Sequence, residues 1–266
     1  MRCWPALLLL GGLAAGEGEG PPPVVRFNAA KMNMSMTPGR PSTMEEPRIG
    51  YEAVRLECAQ LTYLLAALAG APRPVLSTAT FSGGPDGRIL FDSAASQLQQ
   101  MAFKGVLRPR TLTVRRLEAD PERPAEVRYR AEAGDLGDLS GILATPVGPR
   151  RHVAWAERAV LEFVGAVDGN AAMGLGELRL TALHFYGRTQ PLRQATVLRL
   201  KADAPPGPAE VDALVAARVH EMRASGAVIS LYFDDVGGMK SIEGVEDFEG
   251  DGLVPMRAPN RPVLQK

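Results

Sequence analysis

The spacing of apolar positions predicts two amphipathic helices in this chain. In residues 51–69, apolar side chains recur at intervals of three and four, and Gly70 and Pro72 are suited to end a helix there. These side chains are Tyr51, Val54, Cys58, Leu61, Leu65 and Leu68. Residues 208–224 repeat the pattern with Val211, Val215, Val219 and Met222, and Gly226 follows. Both segments are therefore predicted to pack one face on a core.

Alternating or continuous apolar runs predict strands over most of the remaining chain. The predicted strands are 31–37, 75–81, 88–92, 112–119, 125–131, 159–167, 177–186, 195–202 and 228–233. The glycine-rich stretch 83–87 predicts a turn, and residues 152–167 fit a helix as well as a strand. The pattern predicts an α+β fold, mainly antiparallel sheet with the two amphipathic helices packed on it.

The composition of the chain predicts a single domain over 24–235, with a division into two sub-domains near 141–152 as the alternative. Residues 236–266 are acidic and then proline-rich, which predicts a loosely ordered tail. Residues 113–127 resemble 196–211, and this similarity fits either a duplicated strand-turn unit or coincidence.

The first residues have the pattern of a cleaved export signal. Arg2 precedes the apolar run Leu7 to Leu10, and Ala14-Ala15-Gly16 fits a cleavage site. The apolar run is shorter than the roughly 20 residues that span a bilayer. The sequence therefore predicts a signal peptide over 1–16, a linker over 17–23, and a periplasmic or secreted protein.

Charge and cysteine content narrow the functional classes. Thirty basic and thirty acidic residues cancel, which argues against a protein devoted to nucleic acid or anionic membrane. No later segment has the pattern of an integral membrane span. After cleavage only Cys58 remains, so no internal disulfide is expected, and its place on the apolar stripe indicates a buried thiol.

One short motif suggests catalysis. Ile89-Leu90-Phe91-Asp92-Ser93-Ala94 resembles the active-site loop of aspartic peptidases, in which an aspartate follows a buried strand. The resemblance implies Asp92 as the acid-base residue, with Ser93 beside it. This sequence has alanine at position 94 where the family has glycine, and it has no second copy of the motif. A homodimer would have to supply the second aspartate. The alternative is a strand end with capping residues.

Two groups of residues have side chains of the kinds that bind metal ions. Met32, Met34 and Met36 lie at every second position, which favours a packed strand face over a copper site because the side chains would be about 7 Å apart. The acidic stretch resembles a calcium loop, but Ala258 stands where the last glutamate belongs. Its candidate metal ligands are Asp234, Asp235, Asp247, Glu249 and Asp251.

His152, His184 and His220 form no metal-ligand pair, and His184 is expected to be a partly buried structural residue. No cofactor is predicted. The sequence favours an exported, non-catalytic protein that binds or assembles with something in the envelope, an envelope protein or a second copy of itself. An aspartic peptidase and a metal carrier are the alternatives.

Overall fold

Alternating apolar and polar residues form antiparallel strands over most of the described part of the chain. The computed structural model describes residues 25–35, 37–51, 54–71, 74–83, 87–98, 101–107, 109–120, 122–123, 126–143, 150–166, 179–204, 210–234 and 239–250. These residues contain twenty strands and one short helix, so the protein is all-β and the predicted α+β class is wrong.

The strands fall in the following order along the chain. They are β1 Val25–Asn28, β2 Lys31–Asn33, β3 Pro41–Glu45, β4 Arg48–Tyr51, β5 Val54–Glu57, β6 Gln60–Ala66, β7 Val75–Ser82, β8 Leu90–Leu98, β9 Met101–Leu107 and β10 Thr111–Arg116. They continue with β11 Glu126–Leu143, β12 Arg150–Ala166, β13 Arg179–Tyr186, β14 Arg188–Thr189, β15 Leu192–Arg193, β16 Ala195–Leu200, β17 His220–Gly226, β18 Val228–Phe233, β19 Met239–Glu243 and β20 Asp247–Gly250. Helix α1 is Val211–Ala216.

Eighteen of these strands form one continuous antiparallel sheet that winds up and down. The first half-sheet, as we name it, runs β2-β3-β6-β7-β10-β11-β12-β13-β18-β19. The second half-sheet runs β1-β4-β5-β8-β9-β11-β12-β16-β17-β20. The long strands β11 and β12 belong to both. The consecutive strands β17 and β18 belong to different half-sheets and are separated only by Ala227.

The bend in β11 lies at a bulge between Gly134 and Gly137. Asp135 has a φ of 54°, a left-handed conformation that is uncommon outside glycine. Arg88 Nη2 lies 3.0 Å and Arg110 Nε 2.6 Å from Asp135 Oδ2. Arg88 lies in the β7–β8 connection and Arg110 in the β9–β10 connection. Their ion pairs with Asp135 therefore attach both connections to the bend in β11.

Side chains from the inner faces of both half-sheets form one core. Tyr129, Phe163 and Ile229 come from the first half-sheet, and Ala154 and Val197 come from the second. Burial of this apolar surface is the main favourable contribution to folding. Tyr129 is fully buried, and its hydroxyl donates a hydrogen bond of 2.8 Å to the Leu76 carbonyl, which satisfies its polar atom.

A second apolar cluster lies on the outer face of the second half-sheet. Trp155 and Leu198 belong to it, and α1 covers them with Val211 and Leu214. The N-terminal residue of this helix is bound by Asp138 of β11, whose Oδ1 accepts a hydrogen bond of 2.9 Å from the Val211 N–H. Glu210, the residue that precedes the helix, makes no side-chain cap.

The helix predicted over 51–69 is wrong, because β5 and β6 occupy most of this segment. Leu56 faces the core on one side of a bend, and Leu61 and Leu65 face it on the other. The bend at 58–59 shifts the inward face by one position. Two strands of period two therefore reproduce the three- and four-residue spacing of a helix.

The helix predicted over 208–224 is also wrong beyond its first turns. Helix α1 ends at Ala216, and Arg218 adopts a left-handed φ of 53°. From His220 onward the chain is strand β17, in which Met222 and Ala224 alternate into the interior. The apolar spacing over 208–224 therefore comes from a short helix followed by a strand, and not from one continuous helix.

Several strand predictions are confirmed. Val228–Phe233 forms β18 with the predicted bounds, and the undecided segment 152–167 lies almost wholly in β12. Within the predicted tail, 239–250 contains β19 and β20. Of the methionine row, Met32 is 42% exposed, Met34 packs against the core, and Met36 lies outside the described residues. The predicted signal peptide and linker also lie outside them.

Cys58 is buried, as the sequence indicated, and burial raises the pKa of its thiol to about 12. Among the described residues no helix has both the length and the apolar character required to traverse a bilayer.

Candidate functional site

The outer face of the first half-sheet carries a polar cluster on β13 and β18. In β18, Ile229, Leu231 and Phe233 enter the core, so Ser230 and Tyr232 point outward. His184 of β13 pairs directly with Ser230 in the strand register. All three outward side chains are half-buried, which leaves them accessible from solvent.

Short contacts hold this cluster together. His184 Nδ1 and Ser230 Oγ share a hydrogen bond of 2.8 Å. The rings of His184 and Tyr232 meet edge to face at 5.8 Å between centroids and 82° between planes, a favourable aromatic geometry.

The surroundings of the cluster favour the neutral forms of its titratable side chains. Burial lowers the pKa of His184, Arg130 lowers it further, and Glu162 opposes them. Burial and the nearby Glu243 carboxylate raise the pKa of Tyr232, which keeps its hydroxyl protonated. The cluster therefore offers neutral groups that can both donate and accept hydrogen bonds.

Ion pairs surround the cluster on β11 and β12. Arg130 Nη2 lies 2.6 Å from Glu162 Oε1, and Arg158 Nη1 lies 2.6 Å from Glu132 Oε1. The guanidinium of Arg158 also stacks on the ring of Tyr186 at 3.9 Å. Because these pairs compensate each other, they leave little net charge for a charged ligand.

A cleft of about 220 Å³ adjoins the cluster at the β10–β11 connection. Its lining is Leu117, Asp120, Arg123, Glu126, Arg128, Tyr129, Glu162, Phe163, Val164 and Thr181. Its two arginines are paired, Arg123 with Glu126 at 3.4 Å and Arg128 with Asp120 at 3.9 Å. Glu162 lines the cleft and also interacts electrostatically with His184, so the cleft and the cluster are adjacent.

The side chains of this face can donate and accept hydrogen bonds. A serine beside a histidine resembles a nucleophile and its base, but that reaction also needs donors for a developing oxyanion. Both β13 and β18 are paired on two sides, so their backbone N–H groups are engaged in the sheet. The face is therefore suited to binding a ligand.

The residues of the peptidase hypothesis lie elsewhere. Asp92 and Ser93 are within β8, and Asp92 pairs with Arg55 of β5 and Val106 of β9. The strand continues to Leu98, whereas the resemblance implies a tight loop directly after Phe91. The peptidase hypothesis stays a prediction.

Three of the acidic candidates, Asp234, Asp247 and Glu249, lie in the described residues. Asp234 follows the end of β18 and is exposed, while Asp235 and Asp251 lie outside the described residues. Asp247 Oδ2 is 3.0 Å and Glu249 Oε2 is 3.8 Å from the guanidinium of Arg223. No group of three or more acidic, histidine or cysteine side chains in the described ranges is arranged to hold a metal ion.

Sequence reasoning placed His184 on a strand but did not identify the cluster around it. Ser230 lies 46 residues away along the chain, and only the strand register brings the two together. A polar residue between apolar ones, as in Ile229-Ser230-Leu231, was the available signal. That pattern indicates an outward side chain and does not identify its neighbour.

A buried polar group lies on the inner face of the second half-sheet. His152 pairs with Arg199, and Arg199 Nε lies 3.2 Å from Glu221 Oε2. Burial lowers the pKa of His152 to about 4. Only 8% of His152 is exposed, so this group bears on stability rather than on ligand access.

No known protein family, curated protein or solved structure matches this chain.

Proposed function

We propose that this chain is a non-catalytic binding protein of the periplasm or the extracellular space, and that its ligand is a neutral saccharide. The binding site is the outer face of the first half-sheet around His184, Ser230 and Tyr232. The observation that carries the proposal is this uncharged, accessible cluster set between mutually paired ions.

The chemistry of the cluster matches that of a sugar. Hydroxyl groups of a sugar both donate and accept hydrogen bonds, and so do Ser230, Tyr232 and neutral His184. Tyr186 and Tyr232 add aromatic surface with a polar end, which suits a ligand that is apolar on one face and polar at its rim. A protein ligand is disfavoured, because the two exposed large apolar side chains of the described residues, Met32 and Leu192, lie elsewhere.

Affinity electrophoresis tests this proposal. The probes are four neutral polysaccharides, namely hydroxyethylcellulose, xylan, galactomannan and dextran, with heparin as an anionic probe. We expect at least one neutral polymer to retard the protein, and we expect Tyr232→Ala to weaken that binding about tenfold or more. The control is Leu192→Ala, since Leu192 is 82% exposed on the β14–β15 hairpin.

Retardation by none of the neutral polymers, or by heparin alone, would refute the saccharide proposal. Equal weakening by Tyr232→Ala and Leu192→Ala would refute the site. Circular dichroism of each variant separates loss of binding from loss of fold.

The export proposal rests on the pattern from Arg2 to Gly16. We expect the full chain, expressed with its own N-terminus, to be recovered outside the cytoplasm with an intact mass that starts near Glu17. A cytoplasmic protein that retains Met1 would contradict export and leave the saccharide proposal to its own test.

A further inference from the structure

Four threonines lie side by side on the outer face of the first half-sheet. The strand register pairs Thr43 with Thr62, Thr62 with Thr80, and Thr80 with Thr113, across β3, β6, β7 and β10. We call these four residues the threonine row. Neighbouring strands lie about 4.8 Å apart, so the row repeats at that interval at right angles to the strands.

The row points away from the core. The residues on either side of each threonine are buried, as Ala79 and Phe81 are beside Thr80. Thr80 itself is exposed, and the other three threonines are half-buried. Within the described part of the chain, no side-chain hydrogen bond engages these four hydroxyl groups. They are free to bond a ligand.

More hydroxyl groups flank the row. Ser82 and Thr111 are exposed and pair with each other, two positions along the strands from Thr80 and Thr113. Thr78 lies two positions away on the other side. Because these side chains are β-branched or small, their hydroxyls have few rotamers and form a regular, uncharged array.

The line of the threonine row continues into the proposed binding site. From Thr113 the register passes through Glu132 and Val160 to His184 and then to Ser230. His184 lies three strand spacings from Thr113, about 14 Å, and six from Thr43, about 29 Å. A ligand that contacts the whole threonine row and His184 must therefore extend over about 29 Å.

The twist of the sheet decides between a rigid and a flexible ligand. Adjacent strands rotate by about 20–25°, so the four strands of the threonine row turn through about 60–75°. A flat crystalline surface such as ice cannot stay in contact through that rotation. A single flexible chain can follow it.

We propose that the ligand is a single polysaccharide chain that lies across the strands, with one part on the threonine row and another at His184 and Tyr232. This inference rests on the proposed function and specifies its ligand as a polymer. The paired ions of the face favour a neutral chain, and the array of hydroxyls supplies repeated bonds to a repeated unit.

The test compares long and short ligands on one variant. Thr62→Val, Thr80→Val and Thr113→Val together remove three hydroxyls while keeping the branched shape that suits a strand. The probes are the neutral polysaccharide that retards the wild type and the trisaccharide of the same sugar. We expect affinity for the polysaccharide to fall at least fivefold and affinity for the trisaccharide to stay unchanged. Thr189→Val, on the exposed β14–β15 hairpin, is the matched control.

Four outcomes overturn the inference. If the triple variant keeps its polysaccharide affinity and its trisaccharide binding, the threonine row does not bind the ligand, and the proposed function is unaffected. An equal loss for both probes assigns the row to folding. Inhibition of ice recrystallisation that the triple variant loses would assign the row to ordered water instead. Failure of every probe to bind the wild type removes the proposed function as well.

Discussion

The outer faces of the two half-sheets differ in what their sequence requires. On the second half-sheet, Val153, Trp155, Leu198 and Leu200 are apolar on the face opposite the core, and helix α1 covers them. On the first half-sheet the corresponding face carries threonine, serine, histidine and paired ions around the buried Val160 and Ala182, and no helix of the described residues covers it. The strands β11 and β12 contribute to both outer faces. In β12 the outward side chains include apolar Val153 and Trp155 on the second half-sheet and charged Glu162 on the first.

This difference indicates where a ligand can bind. An apolar outer face must be buried, and its cover closes it to other molecules. A polar outer face is stable in water and stays accessible. We therefore place the proposed ligand site on the outer face of the first half-sheet. We expect the stability of the second half-sheet to depend on helix α1.

The largest effect is expected from loosening the cover. Leu214 is 4% exposed and packs in the cluster around Trp155. We expect Leu214→Ala to lower the free energy of unfolding by about 2–5 kcal/mol, because it removes buried methylene groups and leaves a cavity. Urea denaturation followed by tryptophan fluorescence measures this change.

The matched control for the cover is Leu192→Ala, the same substitution at a side chain that is 82% exposed. Its expected cost is below about 0.5 kcal/mol. Equal costs at the two positions would show that α1 does not act as a packed cover, and the contrast between the two outer faces would disappear.

The prediction of the fold failed where the strands bend. Cys58 and Leu61 both face inward across the 58–59 bend, so the step between them is three residues, as in a helix. Nothing in the local pattern distinguishes that step from a helical turn. Within a single strand the period of two was sufficient to predict the strand, and Val228–Phe233 was predicted with its observed bounds.

The local sequence pattern could not predict the candidate site, for a different reason. The outward direction of Ser230 and the strand around His184 follow from alternation. Their 2.8 Å contact follows from the order of the strands, because β13 and β18 are neighbours although five elements separate them along the chain. The threonine row likewise depends on a register that the sequence of one strand does not contain.

Two histidines test a second contrast, between a side chain buried on the inner face and one that is half-exposed on the open outer face. His152 lies on the inner face of the second half-sheet, and burial lowers its pKa to about 4 from the ordinary 6.5. The unfolded chain therefore binds the proton more tightly than the folded one does. The free energy of unfolding is highest above pH 6.5 and falls as the pH drops towards 4, by about 3 kcal/mol for this group.

Urea denaturation at pH 7 and at pH 4 measures this loss in the wild type and in His152→Gln. We expect the variant to lose about 3 kcal/mol less between the two pH values, because glutamine does not titrate. His184→Gln, on the open face, should retain most of the fall, since solvent reaches His184 and its pKa is lowered less by burial. A His152→Gln variant with the pH dependence of the wild type would place the acid sensitivity elsewhere. The buried position of His152 would then not account for the acid sensitivity, and the contrast with the half-exposed His184 would fail.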